Sequence, residues 1–248
     1  MALIHAENLG KVFESRRNRE TTVFKNFNLQ LEPREFVTLL GPSGCGKSTL
    51  LRILGGLEKA SEGSLERKFQ SGSFVFQEPR LLPWKTCLEN VLLPLEIKNS
   101  KVSQADHGKA KELLKLMKLE KFESHFPAEL SGGMKMRNAL ARSLILNPDF
   151  LLLDEPFSAL DETTRLFLQV EIRNLFETKP WTFCFVTHSI EEACFLSSRI
   201  LIFSKDRNQL IEHKSNLPNK RKESLRDELA FFEEVKKVRH LFQTEALS

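Results

Sequence analysis

The sequence predicts an α/β fold: a mostly parallel sheet, covered on both faces, with a block of helices inserted partway along the chain. Three observations predict it. Apolar runs of strand length alternate with helix-like stretches. One such run, Phe36–Leu40, leads through Gly41-Pro-Ser-Gly-Cys-Gly-Lys-Ser-Thr49 into the apolar Leu50–Leu54. That is a complete G-x-x-x-x-G-K-[ST] phosphate-binding loop in its strand–loop–helix setting. Residues from about 85 to 148 carry helical patterns only.

Residues 1–40 read as β-rich, with strands expected at Leu3–Glu7, Val23–Leu31 and Phe36–Leu40 and an exposed turn over the charged stretch Glu14–Glu20. The helix after the phosphate loop is expected to continue through residues 50–57 and stop at Gly55-Gly56. Ser64–Phe69 and Ser73–Phe76 are short strand candidates. Thr86-x-x-Glu89 forms a capping box, opening a helix to about Ile97. Val102–Leu119 spaces Ala105, Leu113, Leu116, Met117 and Leu119 among Lys and Glu, as an amphipathic helix does. Leu130–Leu146 gives a third helix, ended by Asn147-Pro148 because proline disfavours the helical conformation of the residue before it. Strands return at Phe150–Asp154, Phe183–Thr187 and Ile200–Phe203. The polar residues 214–223 read as a linker, after which Ser224-x-x-Asp227 is expected to cap a last helix bearing Leu225, Leu229, Phe232, Val235 and Val238. One large unit over residues 1–213 is thus followed by a linker and amphipathic helix over 214–248.

Composition narrows the function classes. A net charge of +4 over 248 residues is too small an excess to argue for nucleic acid or for anionic lipid. The four cysteines, Cys45, Cys87, Cys184 and Cys194, include no C-x-x-C pair and read as reduced thiols of a cytosolic chain. The opening Met-Ala-Leu-Ile-His-Ala-Glu has no basic segment followed by a long apolar core, so no signal peptide is expected. No run approaches the ~18 consecutive apolar residues of a membrane span.

The chemistry starts at the loop formed by Gly41, Pro42, Ser43, Gly44, Cys45, Gly46, Lys47, Ser48 and Thr49. Its glycines let backbone N–H groups approach phosphate oxygens. Lys47 supplies a point charge to the terminal phosphates, the Ser48 hydroxyl is placed for Mg²⁺, and the following helix adds its positive dipole end. Cys45 is a small filler at a variable position. Downstream, Phe150-Leu-Leu-Leu-Asp-Glu-Pro156 is a buried strand that ends in two acids. Asp154 emerges at the carboxyl end, where ligands bind in open α/β sheets, and can hold Mg²⁺ through water. Glu155 can polarise a water for attack on a γ-phosphate. In Leu130-Ser-Gly-Gly133, Ser131, Gly132 and Gly133 offer N–H groups and a hydroxyl at a helix start, a second anion site.

In this order the residues resemble an ATP-binding cassette (ABC) ATPase, the nucleotide-binding subunit of an ABC transporter, over roughly residues 2–213. Leu130-Ser-Gly-Gly133 is similar to the family's signature motif, Gln77 in Phe74-Val-Phe-Gln-Glu-Pro79 to its Q-loop, Ser158-Ala-Leu-Asp161 to its D-loop and His188 to its switch histidine. Phe13 stands where an adenine-stacking aromatic is usual, and Met134 where the signature usually continues with Gln. The resemblance implies a P-loop NTPase core of RecA type with an antiparallel β subdomain and an inserted helical subdomain. It also implies a head-to-tail dimer, with ATP and Mg²⁺ between the phosphate loop of one copy and Ser131–Gly133 of the other. Gln77 would contact Mg²⁺, His188 the γ-phosphate, aligning Glu155 and the water, and Asp161 the opposite copy.

Gln77-Glu-Pro-Arg-Leu-Leu-Pro-Trp84 resembles importers of nitrate, sulfonates and taurine. That implies membrane-spanning permease subunits, an external solute-binding protein and a peripheral place on the cytoplasmic face of the inner membrane. Leu81, Leu82 and Trp84 would line the groove that takes a helix of the membrane subunit. Two rival readings are a cassette with no membrane partner, which usually carries two cassettes or a long coiled-coil insertion, and a non-hydrolysing regulatory subunit, which Glu155 and His188 argue against.

Overall fold

The computed structural model describes residues 2–14, 20–99, 101–158 and 160–247. Two sheets form the frame. A six-stranded sheet runs in the order β5 (Gly72–Val75), β6 (Phe150–Asp154), β7 (Thr182–Thr187), β3 (Phe36–Leu40), β8 (Arg199–Phe203) and β9 (Leu210–Lys214). All its pairings are parallel except β8 with β9. An antiparallel sheet pairs β1 (Ile4–Glu14) with β2 (Glu20–Leu31) and with β4 (Glu62–Arg67). The expected turn between β1 and β2 falls mostly outside the described residues, but Glu14 and Glu20 pair across its ends.

The parallel strands have no polar face, and their alternate residues feed two separate cores. Phe36, Leu40, Leu151, Leu153, Phe183, Phe185, Ile200 and Ile202 belong to one. Val37, Leu39, Phe150, Leu152, Cys184, Val186, Leu201 and Phe203 belong to the other. The first core packs against the inserted helices α2 (Cys87–Asn99), α3 (Gln104–Leu116) and α4 (Gly132–Leu144), against α5 (Glu162–Thr178) and α6 (Ile190–Leu196), and against the last helix, α7 (Leu229–Phe242). The second lies under the antiparallel sheet and α1 (Lys47–Leu54). The side-chain period of two makes this partition rigid, since a one-residue slip would exchange the two sets.

The capping box opens α2 as expected: Thr86 N–H donates to Glu89 Oε2 at 2.7 Å and Glu89 N–H to Thr86 Oγ1 at 3.3 Å. A second box, Ser103 with Asp106, opens α3. That helix stops at Leu116, short of the expected Leu119; Lys118 takes φ 53° and swings Leu119 into the core.

The C-terminal expectations need correction. Residue 214 closes β9, and the polar stretch beyond it is not a free linker, because Arg221 is 3% exposed. Its guanidinium donates to Cys194 O at 2.8 Å, Phe195 O at 3.1 Å and Ser197 O at 2.9 Å, satisfying the carbonyls that α6 leaves at its C-terminus. Ser224 and Asp227 lie in a 3-10 turn over Glu223–Asp227 and do not cap the helix, which starts at Leu229 without a side-chain cap. The turn is needed to bury Leu225. The buried face of α7 is Phe231, Glu234, Val235 and Val238, while Leu229 and Phe232 are exposed.

Candidate functional site

The carboxyl ends of β3, β6 and β7 lie side by side and deliver three chain segments to one place. From β3 the chain enters the phosphate loop and turns into α1 through Gly46, whose φ of 107° only glycine adopts readily. A Cβ at Gly46 would also lie 2.5 Å from Val23 Cγ1. Cys45 is buried beneath the loop, and burial pushes its thiol pKa up, as befits a filler.

Lys47 is 4% exposed. Its Nζ donates to the loop's own carbonyls, Gly41 O at 2.8 Å and Pro42 O at 2.9 Å, and lies 3.9 Å from Glu155 Oε1. An ammonium so enclosed is a ready counter-charge for phosphate. Ser48 Oγ donates to Asp154 Oδ1 at 2.6 Å. Burial pushes the Asp154 carboxyl pKa up, and the Ser48 hydrogen bond works against that rise.

Glu155 follows at the strand end with φ 45°, and its N–H donates to Val186 O at 3.1 Å. This uncommon backbone conformation turns the carboxylate toward β7, where Oε2 lies 3.1 Å from His188 Nδ1. Lys47, Ser48, Gln77 and Glu155 line one cavity of about 400 Å³, together with Ser43, Gly44, Gly46 and Thr49. Val23 of β2, which the sequence did not single out, forms another wall. A cleft of about 80 Å³ behind Glu155 is lined by Ser158, Arg165, His188 and Glu192.

Three sequence-predicted contributors stand apart from that cavity. Phe13 is 44% exposed at the end of β1, with the Lys11 ammonium 4.5 Å from its ring centre. Lys11 is itself fixed by Glu58 Oε1 at 2.7 Å and Lys59 O at 2.9 Å. Ser131 caps α4 by accepting the Met134 N–H at 3.2 Å, and a Cβ on Gly132 would have nothing within 4 Å. Asp161 is the N-cap of α5, where the Thr164 N–H at 2.9 Å holds its carboxyl pKa below the ordinary range.

Residues beyond Gln77 differ from expectation. Leu81, Leu82 and Trp84 do not wall the apolar groove of about 490 Å³ that the structure shows; Phe74, Leu93, Pro94, Ile97 and Leu146 do. Trp84 is 70% exposed. Leu93 and Ile97 lie four apart in α2, a spacing that could have marked this face. Arg142 of α4 reaches back to Pro79 O at 2.8 Å and Arg80 O at 2.9 Å, tying the segment after Gln77 to the helical block.

Comparison with known proteins accords with this geometry. The family described as "ABC transporter" matches residues 24–158, more than half of the chain. The aliphatic sulfonates import ATP-binding protein SsuB of Bacillus cereus (strain ATCC 10987 / NRS 248) is 41% identical over 244 residues, covering 94% of this chain and 93% of its own. The ABC transporter ATP-binding protein MJ0412 of Methanocaldococcus jannaschii is 40% identical over 252 residues, covering 98% and 92%. Among solved structures, the dimeric post-hydrolysis state of the ATP-binding cassette MJ0796 bound to ADP and Pi superposes with a TM-score of 0.78. It is 34% identical and covers 87% of this chain and 100% of that one. The chain therefore belongs to the ABC transporter family, as one of its ATP-hydrolysing cassettes.

Proposed function

We propose that this cassette powers the import of a small solute of the sulfonate, taurine or nitrate kind, by closing head to tail with a second copy around ATP. The observation that carries the reading is that the nucleotide cavity is half built. The phosphate loop, Ser48, Glu155 and Gln77 gather on one side, with Asp154 bonded to Ser48 Oγ, while Ser131 and Gly132 of the same chain are exposed and the segment Ser131–Gly133 forms none of its walls. A triphosphate seated on Lys47 would meet its remaining donors only from another chain, and closure would exclude water from the reaction.

The residues present fit Mg²⁺. Ser48 Oγ and Asp154 Oδ1 are hard oxygen donors 2.6 Å apart, and Gln77 lines the same cavity as Ser48. Among the described residues no three His, Cys, Asp or Glu side chains converge to hold a metal. Ser48, Gln77 and Asp154 would therefore share the ion with phosphate oxygens, and bound there it would neutralise charge on the β- and γ-phosphates. Glu155 would polarise the attacking water, His188 would align it, and Phe13 would stack on adenine with Lys11 behind its ring. Asp161 would meet the opposite copy.

Residues 1–213 would act as the ATPase unit and 214–248 as an extension packed on it. The apolar groove beside β5 would receive an amphipathic helix of a permease subunit on the cytoplasmic face of the inner membrane, with an external binding protein supplying the solute. The relatives named as sulfonate importers support this, and none of the described helices is long and apolar enough to cross a membrane.

The test is subunit complementation. Glu155→Gln is expected to elute as a dimer in MgATP and as a monomer without it. Mixing Lys47→Ala with Ser131→Arg chains, each inactive alone, is expected to restore about a quarter of wild-type turnover, because half of randomly paired dimers carry one intact site of two. Full hydrolysis by a chain that never pairs would overturn the reading. Vesicles that import an alkanesulfonate with wild type but not with Lys47→Ala would support the solute class.

A further inference from the structure

A line of polar side chains, half-buried at its start and buried beyond it, runs from the C-terminal segment to the turn that carries His188. It begins at Arg226, in the turn Glu223–Asp227. The guanidinium carbon lies 3.8 Å from the Phe195 ring centre of α6, and Nη2 donates to Gln169 Oε1 of α5. Gln169 Nε2 donates to Glu192 Oε1 of α6 at 3.2 Å. Glu192 Oε2 accepts from Thr187 Oγ1 at 2.6 Å, and Thr187 Oγ1 accepts the Ser189 N–H at 3.0 Å. His188 sits between those two residues. Gln169, Glu192 and Thr187 are 1%, 8% and 2% exposed, so water does not readily replace a lost partner. Glu192 also lies 3.9 Å from Arg165 Nε, and Arg165 Nη2 donates to Leu160 O at 2.9 Å, one residue before Asp161.

Hydrogen-bond chemistry gives this line a direction. Arginine has donors and no acceptor. Gln169 must therefore turn its carbonyl oxygen to Arg226 and its amide NH₂ to Glu192. The carboxylate then accepts from Gln169 and from Thr187. The Thr187 hydroxyl has committed its proton to Glu192, so its lone pair is left for Ser189 N–H. Without Arg226 the Gln169 carbonyl oxygen loses its donor in a poorly hydrated place and the amide is held by Glu192 alone, so the side chain that supports the carboxylate is free to shift. The whole turn at 187–189 depends on that carboxylate.

We propose that Arg226 is a positioning residue for ATP hydrolysis: acting through Gln169, Glu192 and Thr187, it fixes the turn that presents His188 to Glu155. The C-terminal segment thereby sets the turnover rate without touching nucleotide. The inference rests on the reading of His188 as the group that aligns Glu155 and water.

The test uses the full-length chain and steady-state MgATP hydrolysis, with single-turnover phosphate release for slow variants. Arg226→Ala is expected to lower kcat about tenfold and to change KM for ATP less than about twofold, because none of Arg226, Gln169, Glu192 and Thr187 lines the nucleotide cavity. Arg226→Lys, which still donates, is expected to recover most of that loss. Val238→Ala, which hollows the buried face of α7 and takes no part in these hydrogen bonds, is the control for mere destabilisation and is expected to keep kcat within about twofold. In a His188→Ala background, Arg226→Ala is expected to cost less than about twofold more. Unchanged kcat in His188→Ala alone would overturn the catalytic reading of His188. If His188→Ala is impaired, three results would instead overturn the role of Arg226: a wild-type kcat in Arg226→Ala, an equal loss in both backgrounds, or a matching loss in Val238→Ala.

Discussion

Two helix starts in this molecule are suited to an anion, and they are prepared differently. α1 begins behind Gly46 with no side-chain cap, inside a cavity where Lys47 and Ser48 are already held by partners. α4 begins behind Ser131, whose own hydroxyl accepts the Met134 N–H at 3.2 Å, on a surface with open space beyond Gly132. The first is open and walled in; the second is closed by its own side chain and faces outward. Affinity for nucleotide should therefore reside at α1. At α4, the proposed second half of the site, a phosphate would have to replace a cap that already exists, so the net gain on closure would be modest and the closure could be undone.

Substitutions at the two starts test this contrast. Lys47→Ala removes the enclosed charge from the α1 side and is expected to reduce MgATP turnover by about 10²–10³-fold, as loss of a preorganised electrostatic group does, with nucleotide affinity falling too. Unchanged turnover would break the contrast at once. Gly46→Ala forces a Cβ against Val23 at φ 107° and is expected to destabilise the fold by about 1–3 kcal/mol, read as a lowered Tm. Ser131→Ala and Gly132→Ala should act on pairing rather than on nucleotide binding by the single chain. The first is expected to cost only about 1 kcal/mol of stability as a lost cap. The second is expected to leave stability unchanged or raised by up to about 1 kcal/mol, read as an unchanged or higher Tm. Both should leave nucleotide binding to the single chain unaltered while weakening the ATP-dependent dimer, measured by equilibrium binding and by light scattering. A fall in single-chain affinity in either variant would place α4 in the nucleotide site of its own chain.

What was legible in the sequence follows the range of the interactions. β3 and β6 have the bounds expected of them, because strands buried on both faces are bounded by composition alone. The phosphate loop and the Thr86 capping box are local chemistry and read directly. β1 was expected to end at Glu7 but continues to Glu14; its register shifts past Ala6, where Asn8 takes φ 49°, so the two-residue alternation fails there. The C-terminal errors have a different cause. Ser224 and Asp227 satisfy a local rule that the tertiary need to bury Leu225 overrides, and Arg221 looks like any basic residue in a polar run until α6 supplies carbonyls for it. Ser189-x-x-Glu192 reads in the sequence as a cap for α6, and Ser189 Oγ does accept the Glu192 N–H at 3.3 Å; the Glu192 side chain was not legible, since its partners come from β7 and α5. Gln77, Asp161 and His188 were found through family resemblance, and only the fold shows that Gln77 lines the phosphate-loop cavity, that His188 meets Glu155 and that Asp161 caps α5.

The left-handed backbone at Glu155 has an evolutionary corollary. A side chain costs roughly 1 kcal/mol or more in that conformation, which glycine would occupy without penalty. On the proposed role of Glu155 in polarising water, drift toward a sturdier but inert chain would be downhill at this position, and selection for turnover would hold the carboxylate in place. Decayed copies of such a cassette would be expected to lose this residue early while still folding well.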